Sequence, residues 1–364
     1  MNKMVKNLII LSATSLIIFA ILSLLILFGI IDEYNAQILT VAGMYCIVAL
    51  SLNLITGFTG QLALGQAGFM CVGAYTTAIA MMKLGIPLFA AIIFGGLVAA
   101  VFGIIIGFPT LRMRGDYLAI ATLAFGEIIR VLMVNLGDLT GGASGLKGIP
   151  SFSNTGNFIY DAIIKFAWVF GFVIITLFII SNLIKSSHGR AIISIREDEI
   201  ASNSMGVNGA YFKMFSFTIS SFLAGMGGGL YAIYFGYLNP DMFRFMNSVN
   251  FVVIVVLGGM GSITGTVISA VGFTYIQEWL RVFKDFRLVI FGLALIAVML
   301  FWPRGLMGTR EFSIVGFVGK VRSGEITVKT IAQSINRFLL SIGRLFTGIF
   351  KKKGNSPDNG GEVR

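Results

Sequence analysis

Few side chains in this sequence could carry out chemistry. Its 364 residues include one histidine, His188, and two cysteines, Cys46 and Cys71. Both cysteines lie in apolar stretches without metal-ligand spacing, and the histidine has no ligand-type partner near it in the sequence. The sequence also shows no nucleophile paired with a general base. It therefore predicts no catalytic residue, no metal site and no cofactor bound by this chain.

An apolar stretch at 117–136 contains two ionisable residues, Glu127 and Arg130. Residues three apart lie on the same face of a helix, so these two side chains can pair. Ionisable groups inside an apolar segment are costly and usually face protein or water rather than lipid. The pair either fixes helix packing or provides a polar contact along a path through the protein.

A glycine-rich run, LTGGASGLKGIP, occupies residues 139–150. A phosphate-binding loop needs the pattern G-x-x-x-x-G-K-[ST] between a strand and a helix, and this run has neither feature. We therefore exclude ATP binding there. The run is interpreted as a flexible external loop or as a docking surface for an external partner.

The composition is that of a membrane protein. Hydrophobic residues make up 56% of the chain and charged residues only 12%, whereas a soluble domain has about 25% charged residues. The formal net charge is +11. In a membrane protein such an excess indicates basic cytoplasmic loops near anionic lipid, and no nucleic-acid motif supports the other interpretation. The predicted partners therefore include membrane lipid and exclude nucleic acid.

The apolar segments predict an all-α, polytopic transmembrane helix bundle with about ten spans, or about nine if residues 246–280 cross once. The basic N-terminus and the basic C-terminal tail are both expected on the cytoplasmic side of a bacterial inner membrane, and this arrangement requires an even number of spans. The first segment is too long for a cleaved signal and is interpreted as an uncleaved span. The spans are placed at 8–31, 38–56, 62–82, 86–108, 117–136, 166–184, 211–237, two short pieces within 246–280, and 288–302.

Two uncharged, glycine-rich passages interrupt the spans. One is TGFTGQLALGQAGF in the first half, and the other is LGGMGSITGTVISAVGF in the second half. Glycines at this density allow either close helix packing or a broken helix that lines a pore. Matching interrupted segments in two halves are typical of a transport site.

The longest clearly polar passage between two apolar segments is Lys185–Lys213, which we call the docking segment. It predicts a short helix in which Asp198 is the N-cap and Gly206 ends the helix in a left-handed conformation. The negative charge of Glu199 suits the positive N-terminal end of the helix dipole. Ile200, Ala201 and Met205 can form one apolar side. Such a segment is either an ordinary solvated loop or a rigid protrusion that another protein binds.

Residues 1–310 are expected to form the transmembrane domain and residues 311–364 a basic cytoplasmic tail. Within the tail, residues 328–353 predict a basic amphipathic helix on the inner membrane surface, followed by a disordered end. The tail is either a dispensable extension or a regulatory element.

Six passages, taken together and in order, resemble the LivM-type permease family of bacterial branched-chain amino-acid ABC transporters. They are TGFTGQLALGQAGFMCVGAYTTA at 56–78, LRMRGDYLAIATLAFGEIIR at 111–130, LTGGASGLKGIP at 139–150, GRAIISIREDEIASNSMGVN at 189–208, VVLGGMGSITGTVISA at 255–270, and FWPRGLMG at 301–308. The resemblance covers about residues 35–310, and the tail is longer than the family pattern.

The resemblance implies a non-catalytic subunit of an importer that works with a second homologous permease, two cytoplasmic ABC ATPases that use ATP and Mg, and an external solute-binding protein. The docking segment then matches the part that docks onto an ATPase, although Ile200 stands where the E-A-A-x-x-x-G motif has glutamate. The implied docking residues are Arg196, Glu197, Asp198, Glu199, Ala201 and Gly206. The candidate residues along the translocation path are Asn53, Gln61, Gln66, Thr122 and Glu127.

Other functions remain open from the residues alone. A permease of the same class could carry urea, short amides or nucleosides instead of branched-chain or related hydrophobic amino acids. An ion-coupled secondary transporter would need carboxylates near the middle of the membrane, and Glu127 is the one acid placed well inside a span. An intramembrane enzyme would need paired catalytic groups within the spans.

Overall fold

The computed structural model describes residues 32–111, 113, 115–152 and 158–286, together with Ser23, Val289, Gly292, Leu293, Ile296, Gly305, Leu306 and Gly308. The predicted first span lies outside this part except for Ser23. The predicted last span, at 288–302, is described only at four of those isolated residues. The predicted tail, 311–364, lies entirely outside, as do Arg112 and Arg114. The predictions made for these segments therefore stay predictions.

The described chain is an all-α bundle, as predicted. Its helices are α1 Glu33–Asn53, α2 Gln66–Leu84, α3 Leu88–Thr110, α4 Asp116–Asn135, α5 Gly137–Thr140, α6 Phe158–Lys185, α7 Ser187–Glu197, α8 Glu199–Ser204, α9 Gly209–Phe235, α10 Phe245–Gly258 and α11 Ile263–Trp279. A π-helical turn, Leu54–Phe58, extends α1, and 3₁₀ turns occupy Gly142–Ser144, Pro240–Phe243 and Leu280–Phe286. Two short strands, β1 Leu146–Lys147 and β2 Tyr237–Leu238, pair antiparallel with Leu146 opposite Leu238.

Seven helical segments within the described residues are long and apolar enough to cross a membrane. Most agree with the predicted spans to within a few residues, but α6 begins at Phe158, eight residues before the predicted start. The stretch 246–280 is divided, as predicted, because α10 and α11 are separate helices on either side of residues 259–262. The total number of spans stays a prediction.

Close packing of α9 against α2 and α3 forms the centre of the bundle. Glycines make this possible, because a Cβ at Gly73 would overlap the backbone of Gly225, and a Cβ at Gly228 would overlap the Met70 carbonyl oxygen. A Cβ at Gly68 would likewise lie 2.8 Å from the Cα of Gly126 on α4. At these positions the glycines serve helix packing, which was one of the two interpretations of the glycine-rich passages.

The connecting segments gather at two ends of the bundle. At one end, Arg196 of the docking segment lies beside Gly60 and Gly261, and the Leu306 amide donates to the Leu257 carbonyl oxygen at 2.8 Å. At the opposite end, the ammonium of Lys83 donates to the Asp138 carbonyl oxygen at 3.3 Å. The first end is called the docking end below.

Gly228→Ala is expected to destabilise the protein by about 1–3 kcal/mol, because the new methyl group meets backbone that cannot move aside cheaply. Gly171→Ala in α6 is the matched control, since nothing lies within 4 Å of the added Cβ. The control should be neutral or slightly stabilising. Thermal unfolding of the purified protein in detergent measures both, and equal melting temperatures would contradict the packing interpretation.

Candidate functional site

The docking segment folds as two short helices, α7 and α8, with a cap at nearly every end. The Ser186 hydroxyl accepts from the Gly189 amide, and the Asn208 side chain accepts from the Tyr211 amide at the start of α9. Side-chain caps satisfy amides that a helix terminus leaves without partners. The segment is therefore an ordered part of the structure rather than a loosely held loop.

The predicted caps of the central helix are confirmed. The Asp198 carboxylate accepts from the Ile200 amide at 2.9 Å and the Ala201 amide at 3.0 Å, so it is the N-cap of α8. Gly206 has a φ of 86°, the left-handed conformation that glycine adopts without strain, and it follows the last turn of α8. One helix was predicted and two are present, because the extended backbone of Asp198 separates α7 from α8.

An apolar tip projects from α8 into the surroundings. Ile200 is 75% exposed and Met205 is 85% exposed, and Ala201 is exposed between them. The tip is firmly held, because Glu199 forms a 2.6 Å ion pair with Lys213 of α9. An ordered, exposed apolar tip is a surface that another protein can cover.

Arg196 points away from this tip and into the bundle. Its Nη1 donates to the Gly57 carbonyl oxygen at 2.6 Å, in the π-helical turn that ends α1. A Cβ on Gly261 would lie 2.9 Å from the same nitrogen. Glu197, in contrast, is exposed, and its carboxylate lies 3.9 Å from the Arg196 Nε. Arg196 thus links the docking segment to both helix breaks.

The two glycine-rich breaks meet at Asn53, and we call Asn53, Gly57, Gly261 and Ser262 the break junction. The fully buried Asn53 side chain donates to the Ser262 carbonyl oxygen and to the Thr266 hydroxyl, each at 3.0 Å. It also accepts from the Gly261 amide at 2.9 Å. Asn53 was a candidate path residue, and the structure shows that its amide holds the two breaks against each other.

The remaining path candidates occupy three different places. Gln61 is buried beside an open cleft of about 280 Å³ under the docking segment, and its Oε1 has no hydrogen-bond partner. Gln66 is buried at the start of α2, where it donates to the hydroxyls of Ser51 and Ser220 at 2.6 and 3.1 Å. The Thr122 hydroxyl accepts from the Leu64 amide at 3.0 Å and so holds α4 against the first break.

Glu127 lies nearer the opposite end of the bundle and pairs with Arg130 as predicted, at 2.7 Å. Glu127 also accepts from the Phe245 amide at 3.1 Å, and Arg130 contacts Asp241 at 3.2 Å. The structure therefore does not bring the five path candidates into one cluster. It adds residues that the sequence did not single out, namely Ser51, Ser220, Ser262, Thr266 and Asp241. Asp241 follows a proline in a turn, but nothing in the sequence connects that turn to α4.

Among the described residues, no group of three or more His, Cys, Asp or Glu side chains could hold a metal ion. The arrangement of the docking segment and the helix breaks is suited to transmitting movement. A protruding helix, a charged hydrogen bond and two broken helices are in direct contact at one end of an apolar bundle. With seven helical segments that are long and apolar enough to cross a membrane, these features are those of a polytopic membrane protein.

Comparison with known proteins gives the family. Residues 34–301 match the model for the permease component of branched-chain amino acid transport systems. The chain is 36% identical over 300 residues to the high-affinity branched-chain amino acid transport permease LivM of Salmonella typhimurium, covering 76% of this chain and 71% of that protein. LivM of Escherichia coli gives the same values. LivH of Escherichia coli is 23% identical over 290 residues, covering 75% of this chain and 94% of that protein.

The chain belongs to the family of branched-chain amino acid transport system permease components. It is therefore a multi-pass membrane protein and a transport permease subunit, as the sequence predicted. No solved structure matches the chain significantly.

Asn53→Leu is expected to destabilise the protein by about 1–3 kcal/mol, because the buried Gly261 amide loses its partner. Asn135→Leu is the control, since that exposed side chain makes one local hydrogen bond to the Val131 carbonyl oxygen. The control should stay within about 0.5 kcal/mol of the original protein. Thermal unfolding tests both variants, and an unchanged melting temperature for Asn53→Leu would show that the break junction does not depend on this amide.

Proposed function

We propose that this chain is the membrane-spanning subunit of an ATP-driven importer for branched-chain or related hydrophobic amino acids in a bacterial inner membrane. The observation that carries the proposal is the contact between the docking segment and the break junction, through Arg196 and Gly57. ATP hydrolysis takes place in two partner ATPases that use Mg, so this subunit is not itself an enzyme. A second homologous permease and an external solute-binding protein complete the importer.

The apolar tip of α8 is the surface that an ATPase covers. Ile200 and Met205 are among the most exposed large apolar residues of the described chain, yet Ile200 lies in the capped helix α8 and Met205 directly follows its last residue. A rigid apolar anchor binds with little loss of conformational freedom. Glu197, exposed beside the tip, adds a charge at the rim of the same surface.

The orientation follows from this assignment. If α8 binds a cytoplasmic ATPase, the docking end faces the cytoplasm, and Asp32 at the start of α1 faces outside. Leu306 is also at the docking end, because its amide bonds to Leu257 beside the second break. The predicted basic tail then begins on the cytoplasmic side, and the predicted first span places the N-terminus there too.

Movement of the docking segment reaches the break junction through Arg196. Helix breaks are the places where a bundle can change the angle between its halves, because their backbone lacks a continuous hydrogen-bond ladder. When the ATPases close on ATP, α8 moves with them, and α7 carries Arg196 against Gly57. The two broken helices then shift together because Asn53 joins them.

The cargo assignment rests on the function for which the relatives are named. The LivM permeases of Salmonella typhimurium and Escherichia coli are both named for high-affinity branched-chain amino acid transport.

Met205→Glu is expected to weaken ATPase binding by about 2 kcal/mol, or roughly thirty-fold, because a charge replaces an apolar anchor at the centre of the contact. The residue is 85% exposed, so folding should not change. Co-purification of ATPases from detergent-solubilised membranes provides the measurement.

Leu84→Glu is the control, because Leu84 is 65% exposed at the opposite end of the bundle. It should leave ATPase recovery unchanged. Full recovery of ATPases with Met205→Glu, or a purified transporter that imports leucine into liposomes with no ATPase present, would overturn the proposed function.

A further inference from the structure

Helix α4 has the least protein cover of the seven candidate spans. Only 28% of the most apolar 18-residue stretch of α4 is buried inside the protein. The corresponding share is 78% for α1 together with its π-helical turn, and 78% for α9. Ile128 is 61% exposed and Val131 is 47% exposed on its outward side. A neighbouring span, α3, also has exposed residues, but those with large side chains are apolar and suit lipid.

The exposed side of α4 carries charge as well as apolar surface. Glu127, Arg130, Asp241 and Arg244 form one network, with contacts of 2.7 Å between the first two, 3.2 Å between Arg130 and Asp241, and 3.0 Å between Asp241 and Arg244. Their side chains are 35%, 23%, 54% and 63% exposed in the same order. We call this network, together with Ile128 and Val131, the α4 face.

The mixture of groups on this face suits neither lipid nor water. Helix α4 is long and apolar enough to cross a membrane, and charged groups on such a segment face protein or water rather than lipid. Ile128 and Val131 beside them would be poorly placed in water. A protein surface suits both kinds of residue.

The charges of the α4 face already balance, since two carboxylates neutralise two guanidinium groups. A protein that covers this face therefore needs no charged residue of its own. An apolar helix that accepts polar groups within the contact is sufficient. We expect a second permease of the same family to present such a helix. The relatives include two different permeases, LivM and LivH, named for the same kind of transport system in Escherichia coli, and both match this chain. Two chains of one fold pair most simply through equivalent surfaces.

We propose that the α4 face is the contact surface for the second permease subunit, with the Glu127–Arg130–Asp241–Arg244 network enclosed at the seam. The inference rests on the proposed function, because it takes the second permease as the partner. It adds which surface of this chain is used and what the ion pairs do there. They neutralise one another at a protein–protein seam.

Site-specific photo-crosslinking in membranes that contain the complete transporter tests the surface. The photoreactive residue is introduced as Ile128→p-benzoylphenylalanine on the α4 face. The control is Leu97→p-benzoylphenylalanine on α3, where Leu97 is 53% exposed. Leu97 lies about 14 Å from the start of α3, and Ile128 lies about 11 Å from the end of α4. The two positions are therefore at similar distances from the ends of their helices. Both are surface positions, and recovery of each variant in complex with the ATPases confirms folding.

The expected result is an adduct with the second permease from position 128 and no such adduct from position 97. An adduct from position 97 but not from 128 overturns the inference. So does the absence of any permease adduct from position 128 while the second permease still co-purifies with this chain. If no second permease is present in the purified complex at all, the proposed function fails and this inference fails with it.

Discussion

The hydrogen bond from Arg196 to the Gly57 carbonyl oxygen is the contact through which the docking segment reaches the helix bundle. It joins a surface element, whose tip is exposed, to a buried place where two helices are broken. Gly57 lies in the last turn of its helix, where carbonyl oxygens have no intrahelical partner, so a side chain can satisfy the Gly57 oxygen. A guanidinium group does so with a charged hydrogen bond, which is stronger than a neutral one.

The break junction explains why glycine and asparagine occur together in this part of the chain. Within a membrane, an unsatisfied backbone group is expensive, so a broken helix is tolerated only where protein groups replace the missing hydrogen bonds. Asn53 does this for the second break, and the close approach needs glycine at residue 57, because a Cβ there would overlap Asn53 itself. The breaks therefore persist because each supports the other. A shift of one break therefore moves the other.

Much of the fold follows from the sequence. Apolar segment lengths give the helices, and local signals give the Asp198 cap, the left-handed Gly206 and the division between α10 and α11. These features depend on residues close together along the chain. The inward direction of Arg196 and the role of Asn53 do not, because their partners lie 139 and 208 residues away. An asparagine in an apolar segment has the same sequence signature whether it lines a path or joins two helices.

Contacts between residues far apart in the sequence also escaped prediction around the ion pair on α4. Its i, i+3 spacing predicted the Glu127–Arg130 contact, but the third member, Asp241, comes from a turn far along the chain. Only the folded bundle shows that the network lies on an uncovered face. Sequence spacing identifies pairs on one helix, whereas the surface they occupy depends on how the other helices pack.

The ratio of amino acid transported to ATP hydrolysed, in liposomes that contain the complete transporter, tests most directly whether Arg196 links the docking segment to the breaks. The variants are Arg196→Met and, on the same helix, the exposed Arg190→Met as control. Loss of the charged hydrogen bond to Gly57 predicts that Arg196→Met keeps its ATPases but transports less amino acid per ATP hydrolysed, with Arg190→Met unchanged. Equal ratios in the two variants and the original transporter would contradict this role of Arg196.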